Sequence, residues 1–253
     1  MQRFFIPRQA IDRDKVTLKG DIVHQVRDVL RMKSGDRILV LDDSGWEYEV
    51  VLNQVDRDRV AGTICDSVEI AETDIKITLY QAMLKSDKFE FVLQKCTEIG
   101  VSTFIPIVSE RCVARQTGAK KLGRWNKILT EAAEQSGKGK LPRLCSVTTF
   151  QQACQLIEGF SMIFLSEVSA PGLRQILHDN YSPEIHTGVN IFVGPEGGFS
   201  PSEVQTAQTR GIMPVTLGKS ILRSETAGLV ASTAILYEYG EFDRPLNGNS
   251  DAL

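Results

Sequence analysis

The chain has 253 residues, of which 42% are hydrophobic and 24% charged, and a formal net charge of −3 at pH 7. These values are ordinary for a globular protein with one large or two modest domains. The sequence has no run of about 18 apolar residues, the length that a membrane-spanning helix needs, and its start lacks the apolar core of a signal peptide. We therefore expect a cytoplasmic protein without a membrane segment.

The cysteines and histidines do not indicate a metal site or a disulfide framework. The five cysteines are odd in number and contain no C-x-x-C pair, and the three histidines are scattered along the chain. We expect no bound metal, and we predict that most of the cysteines are small buried residues.

Positive charge is concentrated in two segments. Residues 1–37 contain nine Lys or Arg against five Asp, and residues 110–144 contain nine against three Glu. Two basic segments on a chain of negative net charge fit contact with a phosphate backbone, but runs of charge are also common on solvated faces. Charge alone therefore leaves nucleic-acid binding open.

The first 70 residues are predicted to be mostly β-structure. Clusters of turn residues separate short apolar segments, whereas one segment carries apolar residues at helical spacing. The predicted elements are strands at 3–6, 37–41, 46–55 and 60–68 and a helix at 21–30. A small barrel with one helix is the economical assembly. The polar stretch 69–73 then marks a domain boundary.

From residue 75 the pattern changes to alternating strands and helices, which is typical of a parallel α/β domain. Glycines follow two of the helices and mark their ends. The predicted elements of this part are strands at 76–82, 103–108 and 161–165 and helices at 86–99, 121–136, 151–159 and 172–178.

Residues 190–211 predict a strand, a glycine-rich loop and a helix. The strand at 190–193 is apolar, and the glycines that follow it allow the backbone to approach a ligand closely. Ser200 is a strong N-cap, Pro201 suits the first helical position, and Glu203 completes a capping box. We therefore predict a helix from 201 to about 211.

The same pattern repeats in residues 212–239. A strand at 212–217 leads into a loop at 218–223, after which Ser224 is predicted to cap a long helix rich in small residues. In an open α/β sheet, loops at the carboxyl ends of neighbouring strands bind ligands. Two such loops predict a binding site at this edge.

The sequences of these two loops do not match the common nucleotide-binding motifs. Leu217 to Ser220 ends like a phosphate-binding P-loop, but Met213 stands where that motif requires glycine. The sequence GPEGG is not the dinucleotide pattern, and no Ser/His/Asp arrangement is evident. A loop with one charge and many backbone donors suits a ligand with hydrogen-bonding edges, such as adenine with its ribose.

Five motifs occur together in this chain: HQVRDVLRMKSGD at 24–36, EFVLQKCTEIGV at 90–101, RWNKILTEAAEQSGK at 124–138, GPEGGFS at 194–200 and LGKSILRSETA at 217–227. In this order they resemble the RsmE family of ribosomal RNA uridine-N3 methyltransferases, over about residues 3–242. The resemblance implies a PUA-like β-barrel RNA-binding domain at 1–72, a trefoil-knotted SPOUT α/β methyltransferase domain at 73–243 and a flexible tail at 244–253.

The resemblance also implies the reaction and the partners. S-adenosylmethionine is the expected methyl donor, and a uridine of 16S ribosomal RNA in the small (30S) subunit, of the m3U1498 type, is the expected target. The chain is expected to form a homodimer, for which the small-residue helix after residue 226 offers a close-packing face. The same face fits packing within one subunit equally well.

Carried onto this sequence residue by residue, the family's cofactor pocket comprises three segments. Its members are Leu165, Ser166 and Glu167, then Gly194, Glu196 and Gly197, then Leu217, Gly218, Ile221, Leu222, Arg223 and Thr226. Backbone groups of the two glycine loops would read the adenine and ribose, with the leucines and Ile221 as apolar walls. Plain core packing is the alternative for the leucines. Ser220 departs from the family, which often has arginine there.

Methyl transfer to uridine N3 requires that the methyl donor and N3 are aligned and that N3 loses its proton. The sulfonium already activates the methyl group, so the enzyme must position donor and acceptor. Uridine N3 must lose its proton to a base, or a cation must stabilise the uracil anion. Arg223 is the first candidate for that cation, although a salt bridge with Glu196 or Glu225 fits it equally. Either carboxylate is a candidate proton acceptor, but an unperturbed one is a poor base for N3.

The basic residues are candidates for contact with RNA phosphates. Four belong to the first domain and four are expected beside the active site, from the same or the partner subunit: Arg8, Arg27, Arg31 and Lys33, then Arg111, Arg115, Lys138 and Lys140. A non-catalytic RNA-binding or ribosome-binding factor with the same fold is the alternative function, but the intact glycine loops disfavour it.

Overall fold

The computed structural model describes residues 1–113, 118–166, 170–180 and 188–243, so the predicted tail at 244–253 lies outside the described residues. The chain divides into two compact units. The first comprises Met1–Glu72 and Ala133–Leu141; the second comprises Thr73–Ala132 and, from Pro142, the rest of the described chain.

Residues 133–141 belong to the first unit, whereas the sequence analysis placed them in the second domain. Long-range contacts explain the difference. The backbone N–H of Phe5 donates to a carboxylate oxygen of Glu134 at 2.8 Å, and the N–H of Leu141 donates to Asp43 at 2.7 Å. No local sequence pattern carries such contacts.

The first unit contains a six-stranded sheet in the order β1-β4-β5-β6-β3-β2. Its strands are β1 (Arg3–Phe5), β2 (Ile11–Asp12), β3 (Lys15–Leu18), β4 (Arg37–Leu41), β5 (Trp46–Val55) and β6 (Val60–Glu69). The four predicted strands are confirmed, whereas β2 and β3 were not predicted. Since β1 and β2 end the path of paired strands, the closed barrel stays a prediction.

The predicted helix at 21–30 consists of two parts. Helix α1 (Asp21–His24) continues as a π-helical turn over Gln25–Val29. Its apolar residues Val23 and Val26 are buried in the core of the first unit together with Phe4, Val40 and Val50. Burial of these side chains attaches the helix to the sheet.

The second unit is a parallel α/β domain, as predicted. Every strand pair in its seven-stranded sheet is parallel, in the order β10-β8-β7-β12-β11-β13 with β9 beside β8. The strands are β7 (Ile77–Ala82), β8 (Val101–Val108), β9 (Arg143–Leu144), β10 (Thr148–Thr149), β11 (Phe160–Phe164), β12 (Val189–Val193) and β13 (Met213–Val215). The helices that follow along the chain are α2 (Ser86–Ile99), α3 (Ala119–Ser136), whose last four residues belong to the first unit, α4 (Phe150–Leu156), α5 (Leu173–Asp179), α6 (Pro201–Thr209) and α7 (Ser224–Glu238).

Local signals account for several boundaries. Gly100, at φ 118°, ends α2 in the left-handed conformation, and the Ser200–Glu203 capping box begins α6; both were predicted. Residues Val189–Val193 are all buried, since helices cover both faces of a parallel sheet. Aromatic packing of Tyr80 on Phe192, with ring centroids 4.2 Å apart, fills the core behind this strand.

The structure also bears on the predictions about membrane segments and cysteines. Within the ranges described, no helix is long and apolar enough to span a membrane. None of the five cysteines forms a disulfide: Cys96, Cys112 and Cys154 are buried, Cys145 is half-buried and Cys65 is exposed. Three of the five are thus buried, in agreement with the prediction that most of them are, and Cys65 lies in the exposed part of β6.

Candidate cofactor site

A cavity of about 370 Å³ lies at the carboxyl ends of three neighbouring strands of the second unit. Its walls come from the ends of β11, β12 and β13, the loops that follow them, and the first turns of α2 and α7. We call residues 194–199 the glycine loop and residues 216–223 the second loop. The predicted position of a ligand site at this edge coincides with the cavity.

Most of the residues assigned to the cofactor pocket line this cavity. Those that do are Leu165, Ser166, Gly194, Glu196, Leu217, Ile221, Leu222 and Arg223. Gly197, Gly218 and Thr226 belong to the same segments but do not contribute to the lining, whereas Gly198, Ser224 and Ala227 do. Glu167 lies outside the described residues.

The apolar residues of the second loop differ in their surroundings. Leu217 packs against the core of the second unit, so the core-packing alternative applies to it in part. Ile221 is 80% exposed at the cavity. An apolar side chain in that position gains burial only when something occupies the cavity beside it.

The glycine loop contains a tight turn, and its first residue has little room for a side chain. The N–H of Gly198 donates to the carbonyl of Pro195 at 2.8 Å. A β-carbon on Gly194 would lie 3.2 Å from the ring of Phe199 and 3.3 Å from the backbone of Gly198. The absence of side chains on Gly194 therefore keeps the loop folded close to the end of β12.

Ser224 does not cap α7, contrary to the prediction. The N-cap is Arg223, which has an extended backbone, and α7 begins at Ser224. The buried hydroxyl of Ser224 instead donates to the carbonyl oxygen of Gly194 and accepts from the side-chain amide of Gln81 at 3.3 Å. The start of α7 is thereby tied to the start of the glycine loop.

Lys88 is the functional candidate that the sequence analysis missed. It lines the cavity, and its Nζ lies 3.3 Å from Oε1 of Glu196 and 3.5 Å from Oε2 of Glu225. Partial burial lowers the pKa of Lys88, but the hydrogen bond to Glu196 and the charge of Glu225 outweigh it and the net shift is upward. The sequence contains a signal that could have identified Lys88. A lysine in the first turn of a helix is unfavourable next to the positive end of the helix dipole, which indicates an anionic partner.

Arg223 and the two carboxylates are arranged differently from the salt bridge considered above. Glu196 and Glu225 each pair with Lys88, whereas Arg223 makes no ion pair with any residue that the structure describes. Arg223 is exposed and lines the cavity. Its guanidinium is thus available to a ligand.

The basic residues predicted to contact RNA fall in both units. Arg8, Arg27, Arg31, Lys33, Lys138 and Lys140 belong to the first unit and Arg111 to the second, while Arg115 lies outside the described residues. Some already have partners. The guanidinium of Arg27 donates to both carboxylate oxygens of Asp28 at 2.6 and 2.7 Å, and that of Arg111 donates to the carbonyl of Gly197 at 2.8 Å.

No group of three or more His, Cys, Asp or Glu residues that could hold a metal ion occurs in the part of the chain covered by the structure. The charged residues that line the cavity are Lys88, Glu196 and Arg223, and Glu225 pairs with Lys88.

Known proteins are similar to this chain in sequence. Residues 71–236 match a family model described as an RNA methyltransferase domain. The ribosomal RNA small subunit methyltransferase E of Bacillus subtilis is 34% identical over 249 residues, which cover 94% of this chain and 97% of that protein. The protein of the same name from Synechocystis is 34% identical, with 90% of this chain and 75% of that protein covered.

Solved structures agree with the sequence comparison. A ribosomal RNA small subunit methyltransferase E from Neisseria gonorrhoeae, bound to S-adenosyl methionine, has a TM-score of 0.84 at 32% identity and covers 94% of this chain and 98% of its own. A methyltransferase from Legionella pneumophila with bound SAM also has a TM-score of 0.84, at 27% identity, over 93% of this chain and 97% of its own. The structural neighbours are SPOUT-type RNA methyltransferases, and the chain has their α/β methyltransferase fold.

Proposed function

Because the chain belongs to the family of ribosomal RNA small subunit methyltransferase E, we propose that it methylates N3 of a uridine in 16S ribosomal RNA. It is an S-adenosylmethionine-dependent methyltransferase of small-subunit ribosomal RNA. The m3U1498-type target is the one that the family name implies. The observation that carries the proposal is the cavity at the ends of β11, β12 and β13, with Arg223 exposed at its wall.

The residues at this cavity fit S-adenosylmethionine. Its volume of about 370 Å³ falls within the range of about 300–1,000 Å³ for small-molecule sites. The glycine loop brings backbone groups to one wall, and Leu217, Ile221 and Leu222 form an apolar wall suited to adenine. Bound there, S-adenosylmethionine supplies a methyl group on a sulfonium, which is already activated for transfer.

The protein's own part in the reaction is orientation and charge. We assign to Arg223 the stabilisation of the negative charge that develops on uracil as N3 loses its proton, because a fixed cation in a partly enclosed site lowers the energy of such an anion. Glu196 and Glu225 are the candidate proton acceptors, and their common contact with Lys88 orients both.

We further propose the arrangement that surrounds this site. In this proposal the second loop threads through the glycine loop to form a trefoil knot. The hydrogen bond from the Ser224 hydroxyl to the Gly194 carbonyl supports it, since that bond holds the end of the second loop against the start of the glycine loop. The first unit is a PUA-like RNA-binding domain, and the enzyme acts as a cytoplasmic homodimer on the small ribosomal subunit.

The direct test is transfer of labelled methyl from S-adenosylmethionine to small ribosomal subunits from cells that lack this gene, followed by mass analysis of the nucleosides. N3-methyluridine is the expected product. A different methylated nucleoside would refute the uridine-N3 assignment. Absence of both transfer and cofactor binding would favour the non-catalytic RNA-binding or ribosome-binding factor.

A further inference from the structure

One ammonium group connects three segments around the cavity. Lys88 lies in the first turn of α2, Glu196 in the glycine loop and Glu225 in the first turn of α7. The Lys88 side chain is 28% exposed, and those of Glu196 and Glu225 are 40% and 13% exposed. Lys88 is therefore partly shielded from solvent and faces two carboxylates that belong to separate segments.

The same carboxylates are the acidic side chains near Arg223 in the cavity lining or along the chain. Arg223 and Glu196 line the same cavity, and Glu225 follows Arg223 by two residues. An arginine guanidinium binds a carboxylate through two parallel hydrogen bonds, which makes it a strong competitor for any nearby Glu. Lys88 engages both carboxylates, and Arg223 makes no ion pair in the described part of the chain.

We propose that Lys88 is a positioning residue for methyl transfer, which holds Glu196 and Glu225 away from Arg223 and so keeps the Arg223 guanidinium available to the substrate. The inference rests on the proposed function in one respect, the role of Arg223 in stabilising the uracil anion. Lys88 needs no contact with substrate or cofactor for this effect.

The first measurement is independent of activity. Phenylglyoxal modifies arginines that are not engaged in ion pairs, and peptide mass analysis can follow Arg223 alone. In the Lys88→Met variant the carboxylates lose their cation and pair with Arg223, so modification of Arg223 should slow by about fivefold, the scale of one exposed ion pair. The Lys88→Arg variant should keep the wild-type rate.

Two further variants sharpen the test. Adding Glu196→Gln and Glu225→Gln to Lys88→Met removes the competing carboxylates and should restore modification of Arg223. Lys95→Met is the matched control, because Lys95 lies on the same helix and pairs with Glu98 at 2.8 Å. An unchanged rate at Arg223 in Lys88→Met, or an equal decrease in Lys95→Met, would overturn the proposal. If Lys88→Met does not fold, Lys88→Gln replaces it in the same measurement.

Methyl transfer gives the second readout. In Lys88→Met, kcat should fall by about fivefold or more while the KM for S-adenosylmethionine changes little, and Lys88→Arg should restore kcat. A rise in that KM at unchanged kcat would contradict the proposal. If wild-type protein transfers no methyl but the modification of Arg223 depends on Lys88 as described, the proposed function fails and only the effect of Lys88 on the availability of Arg223 stands.

Discussion

The hydroxyl of Ser224 donates a hydrogen bond to the carbonyl oxygen of Gly194, thirty residues earlier in the chain. Gly194 begins the glycine loop and Ser224 begins α7, so this bond fixes two walls of the cavity relative to each other. Gln81, from β7, donates to the same hydroxyl at 3.3 Å. The geometry of the cavity thus depends on buried polar contacts as well as on the loops themselves.

Replacement of Ser224 by Ala should therefore weaken both stability and cofactor binding. Without the hydroxyl the buried carbonyl of Gly194 lacks its donor, which costs about 1–3 kcal/mol. Urea unfolding and calorimetric titration with S-adenosylmethionine measure the two effects. Thr233→Ala is the control on the same helix, since the Thr233 hydroxyl donates to the carbonyl of Leu229 one turn earlier, within α7 itself. Equal losses in the two variants would refute the special role of Ser224.

Replacement of Arg223 by Ala should lower kcat far more than it weakens binding of S-adenosylmethionine. A fixed donor that stabilises a developing anion contributes about 10²–10³ in kcat. Methyl transfer under saturating cofactor, together with the cofactor Kd, gives the comparison. Arg174→Ala, at an exposed position of α5, is expected to leave both unchanged. A large loss of cofactor affinity with normal kcat would assign Arg223 to binding instead.

Gly218 and Gly123 provide a matched pair of glycine substitutions. Gly218 has φ +108° with open space around it, whereas Gly123 lies in α3 with ordinary φ and open space. Gly218→Ala should destabilise the protein by roughly 1–2 kcal/mol through backbone strain alone and distort the second loop. Gly123→Ala should stabilise α3 by about 0.5–1 kcal/mol. Thermal unfolding of both variants tests the pair, and a neutral Gly218→Ala would contradict it.

Arg27 should contribute little to RNA binding until Asp28 is neutralised. The hydrogen bond from Arg27, with that from His24, holds the pKa of Asp28 well below its usual range, so the pair persists at neutral pH. Its contribution to stability is present above the unfolded pKa of about 3.9 and is lost as the pH falls through the lower folded value. Asp28→Asn should free Arg27 and steepen the salt dependence of RNA binding by about one unit of slope.

Two variants control this prediction. Arg27→Ala should leave the salt slope almost unchanged, whereas Arg31→Ala should flatten it by about one unit. Filter binding to 16S ribosomal RNA over a range of salt concentrations measures the slopes. A flattening by Arg27→Ala as large as that by Arg31→Ala would mean that the Arg27–Asp28 pair opens on RNA.

The cysteines should differ in reactivity. Burial raises the pKa of Cys154 to about 11 and that of Cys96 still further. Iodoacetamide at pH 8 should therefore modify exposed Cys65 first and reach Cys96 and Cys154 only on unfolding. Because these two thiols bind their protons more tightly when folded, their contribution to stability is complete below the unfolded pKa of about 8.5 and is lost above it. Rapid modification of Cys96 in the native protein would contradict this.

Much of the secondary structure follows from local sequence. The alternating pattern from residue 75, Gly100 after α2 and the Ser200–Glu203 box before α6 specify elements through interactions within a few residues, and these predictions were confirmed. The ligand-binding edge also follows from sequence, because two glycine loops at the ends of parallel strands must lie together. The five motifs were sufficient to identify the family.

Tertiary structure decided the features that depend on residues distant in sequence. Serine favours the N-cap position of a helix in general. In this fold the Ser224 hydroxyl instead donates to the carbonyl of Gly194, and Arg223 is the N-cap. Lys88, more than one hundred residues from Glu196, forms the ion pairs with Glu196 and Glu225 that the sequence had suggested for Arg223. Residues 133–141 pack with the first unit through contacts to Phe5 and Asp43. Sequence patterns report which residues favour an element, whereas partners across the fold depend on the sheet order and loop paths that bring distant side chains together.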